Sequence, residues 1–415
     1  MNVTITPSSL SGEITCPASK SVAHRALIAA ACSSSPCEIL GRLQGDDVIA
    51  TSSCLSALGA DIKIASDSIS VSPIQTPSRS ANLYVGASGS TFRFLLPLVC
   101  ALGVETSFSG TERLGKRPVG ALLNELEKHG ASFSASALPF TATGRLSGND
   151  FMIDGSVSSQ YVTGLLLALP LLGGGTVTVQ NGAVSKNYLD ITLSVLHAFG
   201  VLAGENKDVF SVRGEYASPG TFVCESDWSS AGFFAVAGAN GNVLLRGLSP
   251  DSTQGDKAIL DALTLCGAIV TVTPDGIAVQ KNKKHGFVFD VEHCPDAAPI
   301  LSVLGAMSEG KTTLLNTARL KLKESDRSAE IVRMLSAFGI TVVDFGNRLE
   351  ITGGELCGCE LALPDDHRIA MAASIAASAA EGETTLLHAE CISKSYPDFF
   401  ADFSKLGGKA NVSLS

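Results

Sequence analysis

Lysines and arginines stand beside glycines, serines and carboxylates in several short segments of this chain, a mixture suited to holding phosphate or carboxylate groups while protons move. Pro17-Ala18-Ser19-Lys20-Ser21-Val22-Ala23-His24-Arg25 runs from helix-starting residues into the Ala-rich apolar stretch 26–32. A helix N-terminus there adds backbone N–H groups and partial positive charge to Lys20 and Arg25, which favours an anion. Gly86-Ala87-Ser88-Gly89-Ser90-Thr91-Phe92-Arg93 repeats that logic. Its two glycines let backbone amides come close to a ligand, and Arg93 offers a planar fork of donors. Glu112 to Gly120 places Arg113, Lys116 and Arg117 around a proline at 118, a cluster that also reads as a solvated charge run before a helix.

Proton-transfer groups lie further along. Lys323, Glu324 and Arg327 fall at helical i,i+4 and i,i+3 spacings, which ordinary surface ion pairs would also satisfy. Asp365-Asp366-His367-Arg368 precedes an almost wholly apolar run, 369–380, and charges at the mouth of a buried helix point to a site. Ser158-Ser159-Gln160, Ser185-Lys186-Asn187-Tyr188 and His293-Cys294-Pro295-Asp296-Ala297 are weaker signals, each readable as a cap or a turn.

These segments need a scaffold, and the sequence supplies a repeating one. A helix end reading apolar-x-x-apolar-Gly-small recurs six times, with glycines at 59, 130, 200, 267, 339 and 407, spaced by 71, 70, 67, 72 and 68 residues. Glycine suits a left-handed helix terminus that leads into a strand. The segments that follow, such as Ile269-Val270-Thr271-Val272-Thr273, are β-branched or alternate. About 70 residues leave room for two helices and about four strands per unit. The expected fold is α+β, six similar units with three in each of two domains, against a continuous solenoid as the rival.

Composition narrows the function. A chain of 415 residues with 45% hydrophobic and 17% charged residues is a globular protein too long for one core. Net charge of −10 argues against nucleic acid or an acidic membrane as partner, so an anion site must be a local cationic pocket. The apolar run 161–172 contains Pro170 and ends in three glycines, which reads as a buried helix and not as a membrane span. The first twenty residues lack the pattern of a secretory signal, so the cytoplasm is the expected compartment. Eleven scattered cysteines read as reduced thiols, and no metal or cofactor is expected.

Taken in order, SKSVAHR, GASGSTFR, GKRPVG, SSQ, SKNY, QGD, PDA, KESDR, DHR and KSYPDF resemble the successive signatures of the 5-enolpyruvylshikimate-3-phosphate synthase family. The resemblance spans Lys20 to Phe399. It implies two domains of three βαβαββ-like units, an inside-out α/β barrel architecture with the active site in the cleft between them. The first domain is expected at 14–226, the second at 1–13 with 227–415, and hinges near 12–14 and 225–229. It implies transfer of an enolpyruvyl group from phosphoenolpyruvate to the 5-hydroxyl of shikimate 3-phosphate by addition and elimination, with domain closure, by a monomer.

By the same resemblance Lys20, Ser21, Arg25, Ser158, Ser159, Gln160, Ser185, Tyr188, Asp296 and Lys323 hold shikimate 3-phosphate. Lys20, Gly89, Arg93, Arg117, Gln160, Arg327, Arg368 and Lys394 hold phosphoenolpyruvate. Lys20, Asp296, Glu324, His367 and Lys394 are the expected catalytic set, with Asp296 steering the hydroxyl proton and Glu324 exchanging the C3 proton. The two substrates together carry about −6, and seven cations, Lys20, Arg25, Arg93, Arg117, Arg327, Arg368 and Lys394, face that charge. Ala87, Asn187 and Arg319 depart from the family's usual Asn, Pro and Asn. The sister enzyme acting on UDP-N-acetylglucosamine is the nearest alternative, disfavoured by Ser21 after Lys20 and by the absence of a cysteine at 111–120. A non-catalytic repeat scaffold is the other, disfavoured because Lys20, Asp296, Glu324 and Arg368 are all present.

Overall fold

The computed structural model describes residues 1–413. It divides into two compact units, one of Met1–Pro17 with the chain from Ser226 onward, the other of Ala18–Glu225. Each unit contains three four-stranded sheets of one design. The sheet Ser80–Tyr84, Glu105–Ser109, Phe140–Thr143, Ser132–Phe133 shows it: the first two strands are parallel and the remaining pairings antiparallel. A parallel pair needs a crossover, and helix Gly89–Leu102 supplies it. A second helix, Gly120–Lys128, then leads through Gly130 into the closing hairpin.

All six repeat glycines, 59, 130, 200, 267, 339 and 407, have φ between +76° and +117°. That backbone is costly for a residue with a Cβ, which explains why the sequence marks each joint with glycine.

Three sheets are completed by distant chain. In the unit Ala18–Glu225, strand Thr221–Val223 takes the first position beside Cys37–Leu40, in parallel register. In the other unit, Asn2–Thr6 lies between Thr384–Leu387 and Lys409–Ser413, antiparallel to both. Strand Ser11–Thr15 pairs in parallel with Asn242–Arg246, so residues 12–14 belong to a sheet; the chain passes between units after Pro17 and again after Glu225. The expected hinge at 12–14 therefore falls inside a paired strand, because the register with Asn242–Arg246 continues to Thr15.

Within each unit the three crossover helices are buried on nearly every face and form the centre of the core. In Ala18–Glu225 they are Lys20–Ala31, Gly89–Leu102 and Ser159–Ala168. In the other unit they are Trp228–Gly238, Ala298–Ala306 and His367–Ala379. A helix apolar all round is stable only inside such a core, and the sheets lie outside it. Close approach requires small residues: a Cβ at Gly164 would collide with the carbonyl oxygen of Arg93 on the neighbouring helix. The apolar run 161–172 is accordingly part of a buried helix followed by the 3-10 turn Leu169–Leu172. Among the described residues, no helix is long and apolar enough to cross a membrane.

Candidate active site

Many of the expected site residues, Lys20, Gly89, Ser158, Ser159, Gln160, Asp296, His367 and Arg368 among them, lie at or just before the N-termini of these buried helices. In Ala18–Glu225 the caps are serines. Ser88 accepts from the Thr91 amide and Ser158 from the Gln160 amide, each satisfying a donor that the helix itself leaves open. Lys20 opens its helix and its ammonium meets Asp47 Oδ2 at 2.9 Å, both side chains largely buried. Arg93 donates to Gln160 Oε1 at 2.5 Å and to the Pro118 carbonyl at 3.0 Å, while Gln160 donates on to Ser90 Oγ at 3.1 Å. Gly89 sits against both guanidinium groups: a Cβ there would stand 2.8 Å from Arg117 Nη1 and 3.1 Å from Arg93 Nη1. Gly89, Arg93, Arg117 and Gln160 thus lie together beside two helix N-termini, while Lys20 is paired with Asp47 at the start of a third.

Arg25 is committed to the protein itself. Its side chain is buried, donating from Nε to Thr192 Oγ1 at 2.8 Å, from Nη1 to the Ser21 carbonyl at 2.5 Å and from Nη2 to the Tyr188 carbonyl at 3.0 Å. Burial pulls the guanidinium down to about 9, against a smaller opposing effect of Tyr188. Arg25 therefore fixes the turn that carries Ser185, at φ +52°, and Tyr188. Pro118 does not start a helix; the helix begins at Gly120, and the Pro118 carbonyl instead receives Arg93 and the Tyr161 hydroxyl. Lys116 is exposed and paired with Glu112, apart from the buried cations.

In the other unit two of the three caps are aspartates, and helix Ala298–Ala306 follows Ala297. Asp227 accepts from the Ser230 amide and Asp366 from the Arg368 amide. Arg327, fully buried, binds three carboxylates: Asp366 Oδ2 at 2.8 Å, Asp296 Oδ1 at 2.6 Å and Glu324 Oε2 at 2.8 Å. Lys323 and Arg368 each approach Asp296 at 3.3 Å, and Lys394 lies 3.9 Å from Glu324 Oε1. Residues 323–326 are not helical, because Asp326 caps a helix that starts only at Arg327. The Glu324–Arg327 contact survives as a link across that cap. His367 is buried in the first turn after Asp366.

This cluster separates its carboxylates electrostatically. Burial works to raise Asp296, but Arg368, Lys323 and Arg327 hold it well below the usual range, so it stays ionised. Asp256 behaves oppositely: burial first, and the charge on Asp296 second, push it from 3.8 to about 6, with Arg368 and a Ser229 hydrogen bond resisting. Burial lowers Lys323, partly offset by Asp296.

Asp47 and the linking role of Asp366 escaped the sequence reading, and Asp256, within the QGD segment, was given no role by it. Asp47 had only the signal of an acid in a helix's first turn, and its partner Lys20 lies 27 residues away. The expected site set is split between the units: Lys20, Ser21, Arg25, Gly89, Arg93, Arg117, Ser158, Ser159, Gln160, Ser185 and Tyr188 lie in one, and Asp296, Lys323, Glu324, Arg327, His367, Arg368 and Lys394 in the other.

Comparison with known proteins gives the family. A family model described as EPSP synthase (3-phosphoshikimate 1-carboxyvinyltransferase) matches residues 5–403. A 3-phosphoshikimate 1-carboxyvinyltransferase of Clostridium novyi is 37% identical over 98% of both chains, and one of Clostridium kluyveri is 38% identical over 98% of this chain and 97% of its own. The solved structure of an EPSP synthase from Acinetobacter baumannii superposes with a TM-score of 0.85 at 26% identity, covering all of both chains. With the family model covering nearly the whole chain and close curated relatives of matching length, this chain belongs to the EPSP synthase family.

Proposed function

We propose that this chain joins phosphoenolpyruvate to the 5-hydroxyl of shikimate 3-phosphate and releases phosphate. The observation that carries the assignment of roles is the Arg327 cluster, where one buried guanidinium holds Asp296 and Glu324 in fixed positions among cations. Shikimate 3-phosphate is assigned to Lys20, Ser21, Arg25, Ser158, Ser159, Gln160, Ser185, Tyr188, Asp296 and Lys323. Arg25 contributes there chiefly by orienting the Ser185–Tyr188 turn, since Nε, Nη1 and Nη2 each donate to the protein, at Thr192, the Ser21 carbonyl and the Tyr188 carbonyl. Phosphoenolpyruvate is assigned to Lys20, Gly89, Arg93, Arg117, Gln160, Arg327, Arg368 and Lys394.

The chemistry then follows from charge. The 5-hydroxyl oxygen attacks C2 of phosphoenolpyruvate as C3 takes a proton, giving a tetrahedral adduct; loss of phosphate and of a C3 proton restores the double bond. Asp296, kept ionised by three cations, is the group assigned to steer the hydroxyl proton. Glu324, held by Arg327 and 3.9 Å from Lys394, is placed to exchange the C3 proton. Lys20 and Lys394 offset charge as phosphate departs. His367, buried beside Arg368, orients the phosphate.

The family match supports shikimate 3-phosphate over UDP-N-acetylglucosamine as acceptor. Phosphate release from purified protein tests this directly: release is expected with phosphoenolpyruvate plus shikimate 3-phosphate and not with the nucleotide sugar. Glu324→Ala is expected to lower turnover 10²–10⁴-fold, the usual worth of a positioned acid–base group. Release with the nucleotide sugar alone would overturn the acceptor, and near wild-type turnover of the Glu324 variant would overturn its role.

A further inference from the structure

Four buried side chains in the unit Ala18–Glu225 form an unbroken row of short hydrogen bonds. His24 Nδ1 lies 2.7 Å from Thr51 Oγ1, Thr51 Oγ1 lies 2.6 Å from Thr91 Oγ1, and Thr91 Oγ1 lies 2.7 Å from Ser88 Oγ. All four residues are fully excluded from solvent. They come from three helices: His24 sits one turn beyond Lys20, Thr51 is on the helix that Asp46 and Asp47 open, and Ser88 and Thr91 form the capped first turn that contains Gly89.

We propose that this row is a directed hydrogen-bond chain in which His24, as the Nδ1–H tautomer, positions the first turn of helix Gly89–Leu102 against Lys20. The proposal deepens, and rests on, the assignment of Lys20 and Gly89 to phosphoenolpyruvate. Direction follows from proton count, since each hydroxyl has one proton to give. The Thr91 hydroxyl is aimed at Ser88 Oγ, with the Asp47 carbonyl 3.4 Å away as its other acceptor. The contact with Thr51 must then have Thr51 donating. Thr51 has no second proton, so the ring nitrogen must donate to it.

An independent feature agrees with that direction. His24 Nε2 is buried without a hydrogen-bond partner, its ring edge-on to Phe94 with centroids 6.3 Å apart. A neutral imidazole carries one N–H, and placing it on Nδ1 leaves only a bare lone pair in the apolar pocket, less costly than a stranded donor. Burial keeps the ring neutral, at about 3, outweighing the pull of Asp47, with Lys20 and Arg25 adding to the lowering. Ser88 Oγ receives both the Thr91 hydroxyl and the Thr91 amide, so the chain grips the turn at two points. Through the Asp47 carbonyl it also reaches the residue whose carboxylate pairs with Lys20. His24 touches no reacting atom and is a positioning residue.

Nitrogen-15 NMR of the full chain, labelled at histidine, reads the tautomer, and steady-state kinetics read its effect. His24 should show a protonated Nδ1 and bare Nε2 that do not titrate between about pH 8 and pH 5. His24→Leu, which cannot donate, should raise KM for phosphoenolpyruvate about tenfold while kcat falls less than about threefold. His24→Asn, whose amide can donate from nearly the same place, should restore KM. Thr51→Val cuts the chain with little change of shape and should copy the leucine variant, which keeps the test open if that variant does not fold. A protonated Nε2, or leucine and asparagine variants with the same KM, would overturn the proposal. Loss of turnover in the unmodified protein would instead defeat the enzymatic reading, leaving the tautomer to decide the chain.

Discussion

At the scale of single residues, the cluster around Arg327 works by pushing like groups apart. Asp296 and Asp256 are both buried carboxyls that feel the charge on Arg368, yet one is held ionised and the other is driven toward its neutral form. The difference lies in partners: Asp296 touches Arg327, Lys323 and Arg368, whereas Asp256 has a serine hydroxyl and the field of Asp296. A carboxyl raised from 3.8 to about 6 binds protons better folded than unfolded. Its contribution to stability is therefore greatest at low pH and declines as pH rises from about 4 through 6. Asp256→Asn removes the ionisation and keeps an acceptor for Ser229. The variant should melt above the wild type at pH 8, with the gap shrinking below pH 6 and closing near pH 4. Melting curves followed by circular dichroism across that range check it, and a gap constant with pH would refute the shifted carboxyl.

At the scale of elements, the same device serves both units with opposite cap chemistry. Neutral Ser88 and Ser158 leave the positive helix ends to act with Arg93, Arg117 and Lys20, which suits anions from outside. Charged Asp227 and Asp366 answer the helix ends internally, and Asp366 also anchors Arg327 and accepts from Ser325 Oγ at 2.8 Å. Asp366→Ala would remove a cap and one of the three carboxylates on a fully buried guanidinium. The expected loss is about 3–5 kcal/mol, the usual consequence of breaking a buried pair on one side. Urea unfolding read by tryptophan fluorescence measures it, and a loss below about 1 kcal/mol would show that Asp296 and Glu324 compensate. Much of this scale was legible in the sequence. Left-handed joints demand glycine and helix starts favour Ser or Asp, so Gly59, Gly267, Ser158 and Asp366 stood out where they lie. What was hidden depends on partners brought together by packing: Lys20 with Asp47 and Ser229 with Asp256 are each 27 residues apart, with no periodicity to announce them. The helical spacing of Lys323, Glu324 and Arg327 is not realised as helix for a related reason, since Asp326 caps a helix that starts only at Arg327.

At the scale of the whole molecule, the repeat visible in the glycines conceals where its strands come from. Six similar sheets require the chain to supply a fourth strand to the last one, and it does so from its first residues. Asn2–Thr6 is an interior strand, paired on one side with Thr384–Leu387 and on the other with Lys409–Ser413; Val3 and Ile5 are fully buried. Removing it would separate those strands, expose two sheet edges and open the core of that unit. The three sheets of Ala18–Glu225 include no residue from this segment, so that unit should keep its fold. The chain's one tryptophan makes the two outcomes separable, because Trp228 is buried in the unit that would lose the strand. Deletion of residues 1–6 should shift tryptophan emission to the red and abolish amide-exchange protection across helices Ala298–Ala306 and His367–Ala379. Protection of Gly89–Leu102 and Ser159–Ala168 should persist. Equal loss of protection in both sets of helices would mean that neither unit stands without the other, and retention in both would mean that the sheet tolerates a missing interior strand, against the pairing that places Asn2–Thr6 at its centre.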